Sequence, residues 1–256
     1  MAKLIHMDLY RMLKSKSFLL CLLLSFVLAV SGTPVSRLLF TLTTSLAGDT
    51  TTLFPAEALF SSMLSEPFPL LGLLLLMLSL CYFFYADVEN GYIKNIAGQM
   101  PMKGFTVLSK FIVAVVHNLF FVALNIIGNL IGTVFIQRIV MDAQVLDSLR
   151  VLALKLLLVQ SLCALLLLAV TTLRSKSLGM VLAVLFGLGL TPLIYMGINE
   201  GLKPLFGQET DISRFMPDTV MNEEPLDTLK ALAVAIVAGA VFLIPAIRIF
   251  DLKDVK

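Results

Sequence analysis

The feature of this sequence that most limits its fold is a series of six long apolar stretches separated by short charged ones. They cover residues 18–34, 68–86, 108–136, 151–173, 178–198 and 229–247. Each is close to or longer than the roughly 17–25 residues with which a helix crosses the hydrocarbon of a bilayer. A single span in lipid must satisfy its own backbone hydrogen bonds, so each stretch is expected to be helical. The sequence therefore predicts an all-α integral membrane protein with six transmembrane helices.

Composition supports this class of protein. Hydrophobic residues make up 59% of the 256 positions and charged residues only 14%, whereas soluble domains carry about 25% charged residues. The connections between the apolar stretches are too short to hold a soluble catalytic domain. Residues 1–256 are therefore predicted to form a single transmembrane domain, and the function is to be sought in transport, membrane chemistry or anchoring.

The distribution of charge gives the predicted orientation, because basic residues are enriched in cytoplasmic loops. With the N-terminus in the cytoplasm, most of the 19 Lys and Arg residues fall on the cytoplasmic side and most of the 17 Asp and Glu residues fall outside. An even number of spans returns the C-terminus to the cytoplasm. The chain is thus predicted to be a multi-pass protein of the cell membrane with both termini inside.

Residues 1–16 have the pattern of a short amphipathic helix. The apolar face holds Ile5, Leu9, Met12 and Leu13, and the polar face holds Asp8, Arg11 and Lys14. A basic helix directly before a span can lie in the membrane interface. It can equally be a basic flank that only sets topology, and the residues alone leave both interpretations open.

Residues 87–104 form the predicted cytoplasmic loop between the second and third spans. Apolar residues at helical spacing are Val88, Tyr92, Ile93 and Ile96, and the opposite face holds Glu89, Lys94 and Asn95. Gly98 and Pro101 would end such a helix. The pattern predicts a short amphipathic helix on the cytoplasmic side.

Polar residues inside the third span are candidates for contacts within the membrane. They are His117, Asn118, Asn125 and Asn129. The three asparagines share a helical face, and Gly128 with Gly132 forms a GxxxG pair that allows another helix to approach closely. Hydrogen bonding between helices is the favoured interpretation of the asparagines, with contact to a transported molecule as the alternative.

The fifth stretch contains Gly187, Gly189 and Pro192. A break at Pro192 would leave residues 193–206 as a re-entrant half-helix that dips back toward the outer surface. Residues 199–228 then form an acidic outer segment. In the last span, Ala231 and Ala235 with Gly239 recur at four-residue spacing, which predicts a close helix-packing surface.

The sequence lacks the motifs of nucleotide-binding, zinc-binding and disulfide-forming proteins. The chain has no phosphate-binding loop of the GxxxxGK[ST] type, and His6 and His117 are too far apart to supply a usual zinc site. Three cysteines are scattered through the spans without a CxxC motif and are interpreted as apolar filler: Cys21, Cys81 and Cys163. No catalytic, cofactor-binding or metal-ligating residue is predicted, and the chain is not expected to be an enzyme.

Three segments share features with one family. Residues 87–95 read DVENGYIKN, and Pro101, Lys103 and Lys110 follow them; residues 9–18 read LYRMLKSKSF, and residues 213–217 read SRFMP. In the order of the predicted helices around them, they resemble the membrane-spanning permease subunit of type 2 ATP-binding-cassette (ABC) exporters, in its small lantibiotic-protection and peptide-export branch. The chain departs from the family's proline-x-serine-arginine turn, having Met102, Lys103 and Gly104 there.

The resemblance implies partners and roles for particular residues. Two ATPase subunits would dock from the cytoplasm and carry the ATP and Mg²⁺, while a second copy of this chain or a homologous permease would pair with it in the membrane lipids. The implied ATPase-coupling residues are Val88, Glu89, Gly91, Tyr92, Lys94 and Ile96, and those of the connecting helix are Leu9, Arg11 and Lys14. Nucleic acid is not an expected partner.

The function implied by the resemblance is ATP-driven export by a bacterial membrane complex. The expected cargo is an amphipathic or hydrophobic molecule, in the first place an antimicrobial peptide that is exported or cleared for self-protection. A lipid, drug or polysaccharide exporter of the same family is the alternative within this class. A non-transporting membrane scaffold or immunity protein is the alternative outside it, and an intramembrane enzyme is disfavoured.

Overall fold

The computed structural model describes residues 1–47, 55–68, 70–89, 103–173, 175–206 and 211–252. The described helices are α1 (Ala2–Lys14), α2 (Lys16–Ala47), α3 (Phe60–Ser65), α4 (Leu70–Glu89), α5 (Phe105–Val134), α6 (Val145–Leu173), α7 (Lys176–Gly187), α8 (Thr191–Phe206), α9 (Pro217–Met221) and α10 (Thr228–Leu252). A 3₁₀ helix covers Ile212–Phe215, and the strands β1 (Glu57–Leu59) and β2 (Arg138–Val140) form one short parallel pair. The predicted helical architecture is confirmed.

Within the described residues, four helices are long and apolar enough to cross a membrane: α2, α5, α6 and α10. Helices α7 and α8 together would make a fifth span if the bent pair is counted as one. Helix α4 is apolar as well, but its described apolar part, Leu71–Ala86, is shorter than the others. The described part of the chain therefore has four or five helices of membrane-spanning length, and six spans remain a prediction.

Helix α2 runs past the end predicted for the first span. Pro34 lies inside the helix, which continues to Ala47. Proline removes one helical hydrogen bond and frees the carbonyl four residues before it, here that of Val30. Membrane helices tolerate such a gap when neighbouring groups occupy the freed position. The predicted boundary at residue 34 was thus too early, because the proline does not end the helix.

The bundle is built from helix pairs: α2 packs on α5, α4 on α7, and α6 on α10. Its buried core includes Leu76, Phe84, Phe121, Leu158 and Leu162. Leucines of α2, among them Leu20 and Leu23, remain exposed on the outside of the bundle. An apolar outer surface of this kind is expected where the surrounding solvent is lipid.

The close approach of α2 and α5 depends on the predicted GxxxG pair. A Cβ atom at Gly128 would lie 2.8 Å from the Ala29 Cβ, and one at Gly132 would lie 2.2 Å from the Val30 carbonyl oxygen. The carbonyl that Pro34 leaves without a helical donor therefore packs directly against Gly132. Small residues at a membrane helix interface let two backbones come this close.

The small residues predicted to form a packing surface on α10 face α6. Ala231 and Ala235 are buried, and a Cβ atom at Gly239 would lie 3.9 Å from the Ser161 Cβ. Helix α10 packs mainly against α6.

The fifth stretch is broken as predicted, but three residues earlier. Gly189 has a φ of +63°, and the Leu190 N–H donates to the Leu185 carbonyl at 2.9 Å. This is the glycine stop that commonly ends a helix. Helix α8 then starts at Thr191, with Pro192 in its first turn, and the two helices are bent by 101°. Glycine therefore ends α7, and the proline only opens α8.

Candidate functional site

A cluster of charged and polar side chains joins five helices at the end of the bundle that holds the N-terminus. We call it the N-terminal cluster; its members are Asp8, Glu89, Ser109, Lys110, Lys176 and Asp251. They come from α1, α4, α5, α7 and α10. Two of its members belong to predicted functional segments. Asp8 lies in the connecting helix, and Glu89 lies at the start of the coupling loop.

Asp8 anchors α1 to the start of α5. The Ser109 hydroxyl donates to Asp8 Oδ2 at 2.6 Å, and a guanidinium nitrogen of Arg11 lies 3.9 Å from Asp8 Oδ1. Asp8 is only 2% exposed, and the buried side of α1 consists of Leu4, Asp8 and Met12. The prediction that Asp8 shares the polar face with Arg11 and Lys14 was wrong, because spacing by four residues places it between Leu4 and Met12 on the buried side.

The predicted connecting-helix residues lie around this anchor. Leu9 is partly buried and packs against the apolar core. Arg11 is partly exposed beside Asp8, and Lys14 is exposed with its ammonium 4.8 Å from the centre of the Tyr10 ring. Helix α1 is therefore fastened to α5 by one side and keeps Arg11 and Lys14 toward its accessible side.

Lys110 links α5 to the last turns of α4. It is 6% exposed, and its ammonium donates to the Phe84 carbonyl at 2.9 Å and to the Phe83 carbonyl at 3.4 Å. The same ammonium lies 5.3 Å from the centre of the Phe83 ring. A buried cation needs such partners because leaving water is costly. Lys110 therefore fixes the C-terminal part of α4 against the N-terminal part of α5.

Glu89 is the last residue of α4 and forms an ion pair with Lys176, at the start of α7. The shortest distance between carboxylate and ammonium is 3.0 Å, and the ammonium lies 5.0 Å from the centre of the Tyr82 ring. The Glu89 side chain is 55% exposed, so the pair is screened by solvent and contributes little to stability. Its carboxylate remains accessible to a partner.

Asp251, near the end of α10, completes the cluster. Its carboxylate accepts a hydrogen bond of 2.5 Å from the Gly104 N–H, directly before α5. A Cβ atom at Gly104 would lie 2.6 Å from a methyl group of Ile247. The start of α5 is thus bound on one side by α1 and on the other by α10.

The other predicted coupling residues are Gly91, Tyr92, Lys94 and Ile96. They lie outside the described residues, and so does the side chain of Val88. The structure therefore brings Glu89 into the N-terminal cluster and leaves the rest of the predicted coupling helix a prediction.

The asparagines of α5 contact different neighbours. Asn118 donates to the Gln160 amide oxygen of α6 at 2.9 Å, and the oxygen of Asn125 accepts from the Ser25 hydroxyl of α2 at 2.8 Å. Asn129 is partly buried. Asn118 and Asn125 thus form hydrogen bonds between helices, which was the favoured interpretation.

His117 is fully buried beside these asparagines. Its Nε2 lies 2.9 Å from the Ser79 hydroxyl, and its ring stacks on Phe121 with centroids 4.8 Å apart. A second ring, that of Phe18, has its centroid 5.1 Å away. These contacts join α2, α4 and α5 in the middle of the bundle.

An apolar groove of about 330 Å³ runs between α5 and α6. The residues that line it are Val115, Asn118, Leu119, Ala153, Leu156, Leu157 and Gln160. The Gln160 amide donates to the Phe111 carbonyl at 2.8 Å, so the two amides in its wall already bond to each other and to the backbone. The groove suits an apolar group with little demand for hydrogen bonds.

In the loops at the opposite end of the bundle, some aspartate side chains are held by hydrogen bonds from neighbouring residues. Hydrogen bonding from the Ser61 side chain lowers the pKa of Asp142, and the Ser61 N–H donates to it at 3.2 Å. Hydrogen bonding from the Ser213 side chain, and then from Asn199, lowers the pKa of Asp211. In the predicted acidic outer segment, Asp211 therefore helps to fix the loop that follows α8.

Sequence reasoning missed the structural role of two acids. Asp8 could have been recognised because it stands between Leu4 and Met12 at four-residue spacing. Asp218 is 5% exposed and accepts hydrogen bonds from residues of α8. No local sequence pattern indicates these contacts. In the part of the chain that the structure describes, no group of three or more His, Cys, Asp or Glu side chains could hold a metal ion.

Comparisons of the chain with protein-family models, with curated proteins and with solved structures found no match. The function is therefore inferred from the sequence resemblance and from the geometry of the N-terminal cluster.

Proposed function

We propose that this chain is the membrane subunit of an ATP-driven exporter, with six spans and both termini in the cytoplasm of a bacterium. The cargo is an amphipathic or hydrophobic molecule, most simply an antimicrobial peptide. A separate ATPase subunit supplies the energy, and a second permease chain completes the passage.

The observation that supports this proposal most strongly is the construction of the N-terminal cluster. Asp8 ties α1 to α5, Lys110 ties α5 to α4, and Asp251 ties α10 to the start of α5. A displacement of α1 or of the end of α4 would therefore reach several helices at once. An exporter that receives motion from a separate ATPase needs a connection of this kind.

The position of Glu89 supports the same role. It ends α4 at the start of the predicted coupling loop and is more than half exposed. A charge-assisted hydrogen bond from an ATPase subunit would be stronger than its solvent-screened pair with Lys176.

The surfaces of the bundle favour an apolar cargo. The groove between α5 and α6 has an almost entirely apolar lining. None of the described residues that line the groove is charged. This arrangement supports an amphipathic or hydrophobic molecule over an ion.

The proposal is tested with the tagged full-length chain purified from membranes of its source organism. We expect an ATPase subunit to co-purify and its ATP hydrolysis in lipid vesicles to rise when a lantibiotic peptide is added. Glu89→Arg should abolish this stimulation by reversing the charge offered to the ATPase. Lys176→Met breaks the ion pair but leaves the carboxylate, so stimulation should persist.

A matched control places the same charge reversal at the other end of the bundle. Glu57 is exposed in β1, and Glu57→Arg should leave the stimulation unchanged. Full stimulation in Glu89→Arg would remove the role assigned to this residue. Purification without any ATPase activity, together with peptide protection that survives inactivation of the cell's ATPases, would favour a non-transporting immunity protein instead.

A further inference from the structure

Over residues 191–199, helix α8 has its polar side toward the protein and its apolar side outward; the exposed Glu200 follows at the end of this face. Among its described side chains, residues 191–201, Thr191 and Tyr195 are buried and Asn199 is partly buried. These three recur every four residues and so form one stripe. Leu193 and Met196 are 67% and 65% exposed. A helix at a water-exposed protein surface shows the reverse arrangement.

Each residue of the polar stripe binds a carboxylate of the segment that follows α8. The Thr191 hydroxyl donates to Asp218 Oδ2, and the Tyr195 hydroxyl donates to Asp218 Oδ1 at 2.8 Å. Asn199 donates to Asp211 Oδ1 at 2.9 Å, and its own oxygen accepts from the Ile212 N–H at 3.1 Å. We call Asp211 and Asp218, with these three partners, the α8 latch.

The rest of the described α8 surface has little to pack against. A Cβ atom at Gly197 or at Gly201 would meet no neighbouring atom within 4 Å. Packing of α8 is mainly against the short 3₁₀ helix Ile212–Phe215, whose Phe215 is itself 70% exposed. Within the described residues, the hydrogen bonds of the latch are therefore the main contacts that hold α8 in place.

We propose that the outward surface of α8 contacts the hydrocarbon of the bilayer and that the α8 latch fastens this lipid-immersed arm to the bundle. The occupant is lipid because α8 continues directly from α7, an apolar helix that belongs to a candidate span. Leaving Leu193, Ile194, Met196 and Ile198 in water would oppose the hydrophobic effect. This inference concerns the packing of α8 and does not depend on the proposed export function.

A latch of hydrogen bonds is effective in this setting. Hydroxyl and amide groups that face hydrocarbon without a partner carry a desolvation cost, and hydrogen bonds strengthen as the local dielectric falls. Thr191 and Tyr195 would therefore stay bound to Asp218 as long as the carboxylate is present. Asp218 is a positioning residue for α8.

The lipid contact is tested by spin labelling the full-length chain in phospholipid vesicles. The three buried cysteines, Cys21, Cys81 and Cys163, are first replaced by alanine, and a label is attached through Met196→Cys. We expect collisions with apolar oxygen to exceed those with a water-soluble nickel complex, because the label lies in hydrocarbon. A label at the exposed Glu224 serves as the water-accessible control and should show the opposite preference.

Two results would overturn the lipid assignment. A label at residue 196 that meets the nickel complex as often as the label at residue 224 would place α8 in water. A label shielded from both reagents would mean that protein covers α8, either a second copy of the chain or another partner.

The latch is tested by the mobility of the same label at residue 196. Asp218→Ala should sharpen its spectrum because α8 is released, whereas Asp218→Asn, which keeps an acceptor oxygen, should restore part of the restraint. Glu224→Ala removes an exposed acid from the same segment and should change nothing.

A second variant covers the case in which Asp218→Ala does not fold. The double substitution Thr191→Val with Tyr195→Phe removes both donors and leaves the segment after α8 untouched, and it should release the label in the same way. Unchanged label mobility in this double variant would contradict the latch, whatever Asp218→Ala shows.

Discussion

The α2–α5 pair and helix α8 are held by opposite means. In α2–α5, two backbones touch across glycine and alanine, with Gly132 against the Val30 carbonyl. In α8, a stripe of polar side chains binds carboxylates, and the apolar side chains face outward. The difference fits a protein in lipid, where apolar surface alone does not join helices and close backbone contact or hydrogen bonding does so.

The same residue type therefore has opposite meanings in the two regions. At the α2–α5 contact, Gly128 and Gly132 have no room for even one added methyl group, whereas Gly197 in α8 has open space around it. The sequence shows a glycine in a helix in both cases. Substitutions at these and neighbouring positions test whether the two regions differ in this way.

The largest effect is expected from adding one methyl group to the α2–α5 contact. Gly132→Ala should lower the free energy of unfolding by about 3 kcal/mol, near the upper range for overpacking, because the atom it meets is backbone and cannot rotate away. Gly197→Ala should be neutral or stabilise by up to about 1 kcal/mol through helix propensity. Unfolding in mixed micelles followed by circular dichroism measures both, since the chain has no tryptophan.

The comparison would fail if the two glycines behaved alike. Equal losses of stability would mean that α8 is packed as closely as α2–α5. A neutral Gly132→Ala would mean that α2 and α5 are further apart than the backbone contact requires.

A smaller effect is expected at the turn that separates α7 from α8. Gly189→Ala forces a side chain into the left-handed conformation, which costs about 1–2 kcal/mol. The loss should appear as faster hydrogen exchange of the α8 amides, while exchange in α2 and α5 remains unchanged. Equal acceleration in all three helices would show that α8 unfolds only together with the rest of the bundle.

The hydrogen bond inside the α2–α5 pair should contribute less. Ser25→Ala removes the donor to Asn125 and should cost about 0.6 kcal/mol, the average for hydrogen bonds between membrane helices. Ser36→Ala is the matched control, because the hydrogen bond that the Ser36 hydroxyl donates stays within its own helix and goes to the Gly32 carbonyl. A loss at Ser25 as large as that at Gly132 would give hydrogen bonding the leading role in this pair too.

The smallest effect is a pH dependence confined to the α8 latch. Hydrogen bonds from Ser213 and Asn199 and the nearby Arg214 guanidinium, 3.3 Å away, lower the pKa of Asp211. A carboxylate with a lowered folded-state pKa stabilises at pH values above its unfolded value of about 3.9, and this contribution is lost as the pH falls through the folded value.

Acidification below about pH 4 should therefore loosen α8, as measured by the label at residue 196. Asp211→Asn should remove this part of the pH response. The α2–α5 hydrogen bonds of Ser25 and Thr33 involve groups that do not titrate in this range, so exchange of their helices should not follow it. A parallel response in both regions would point to acid unfolding of the whole bundle.

Much of the fold could be predicted from the sequence because lipid imposes simple rules. Long apolar stretches must be helical, and small residues at four-residue spacing must face a neighbour, as Gly128 and Gly132 do. The interruption after α7 was also predictable, although it is made by Gly189 and not by Pro192. The end of the first span was predicted wrongly at Pro34, because a proline does not always end a membrane helix.

The partners of the buried acids could not be predicted with the same rules. Four-residue spacing from Leu4 and Met12 marks Asp8 as part of the buried stripe, but its partner Ser109 lies about a hundred residues away. The contacts of Asp218 depend on the direction that α8 takes after the turn. The candidate site was therefore only partly visible: Glu89 and the connecting helix were recognised, whereas the anchors that join them to the bundle were not.

The strand pair β1–β2 has a mechanical consequence. It connects the segment after α2 to the segment after α5, with Glu57 opposite Arg138, while Gly128, Gly132 and the Ser25–Asn125 bond join the two helices along their lengths. Sliding or rotating one helix against the other would break these contacts. We therefore expect α2 and α5 to move together as one body in any large rearrangement of the protein.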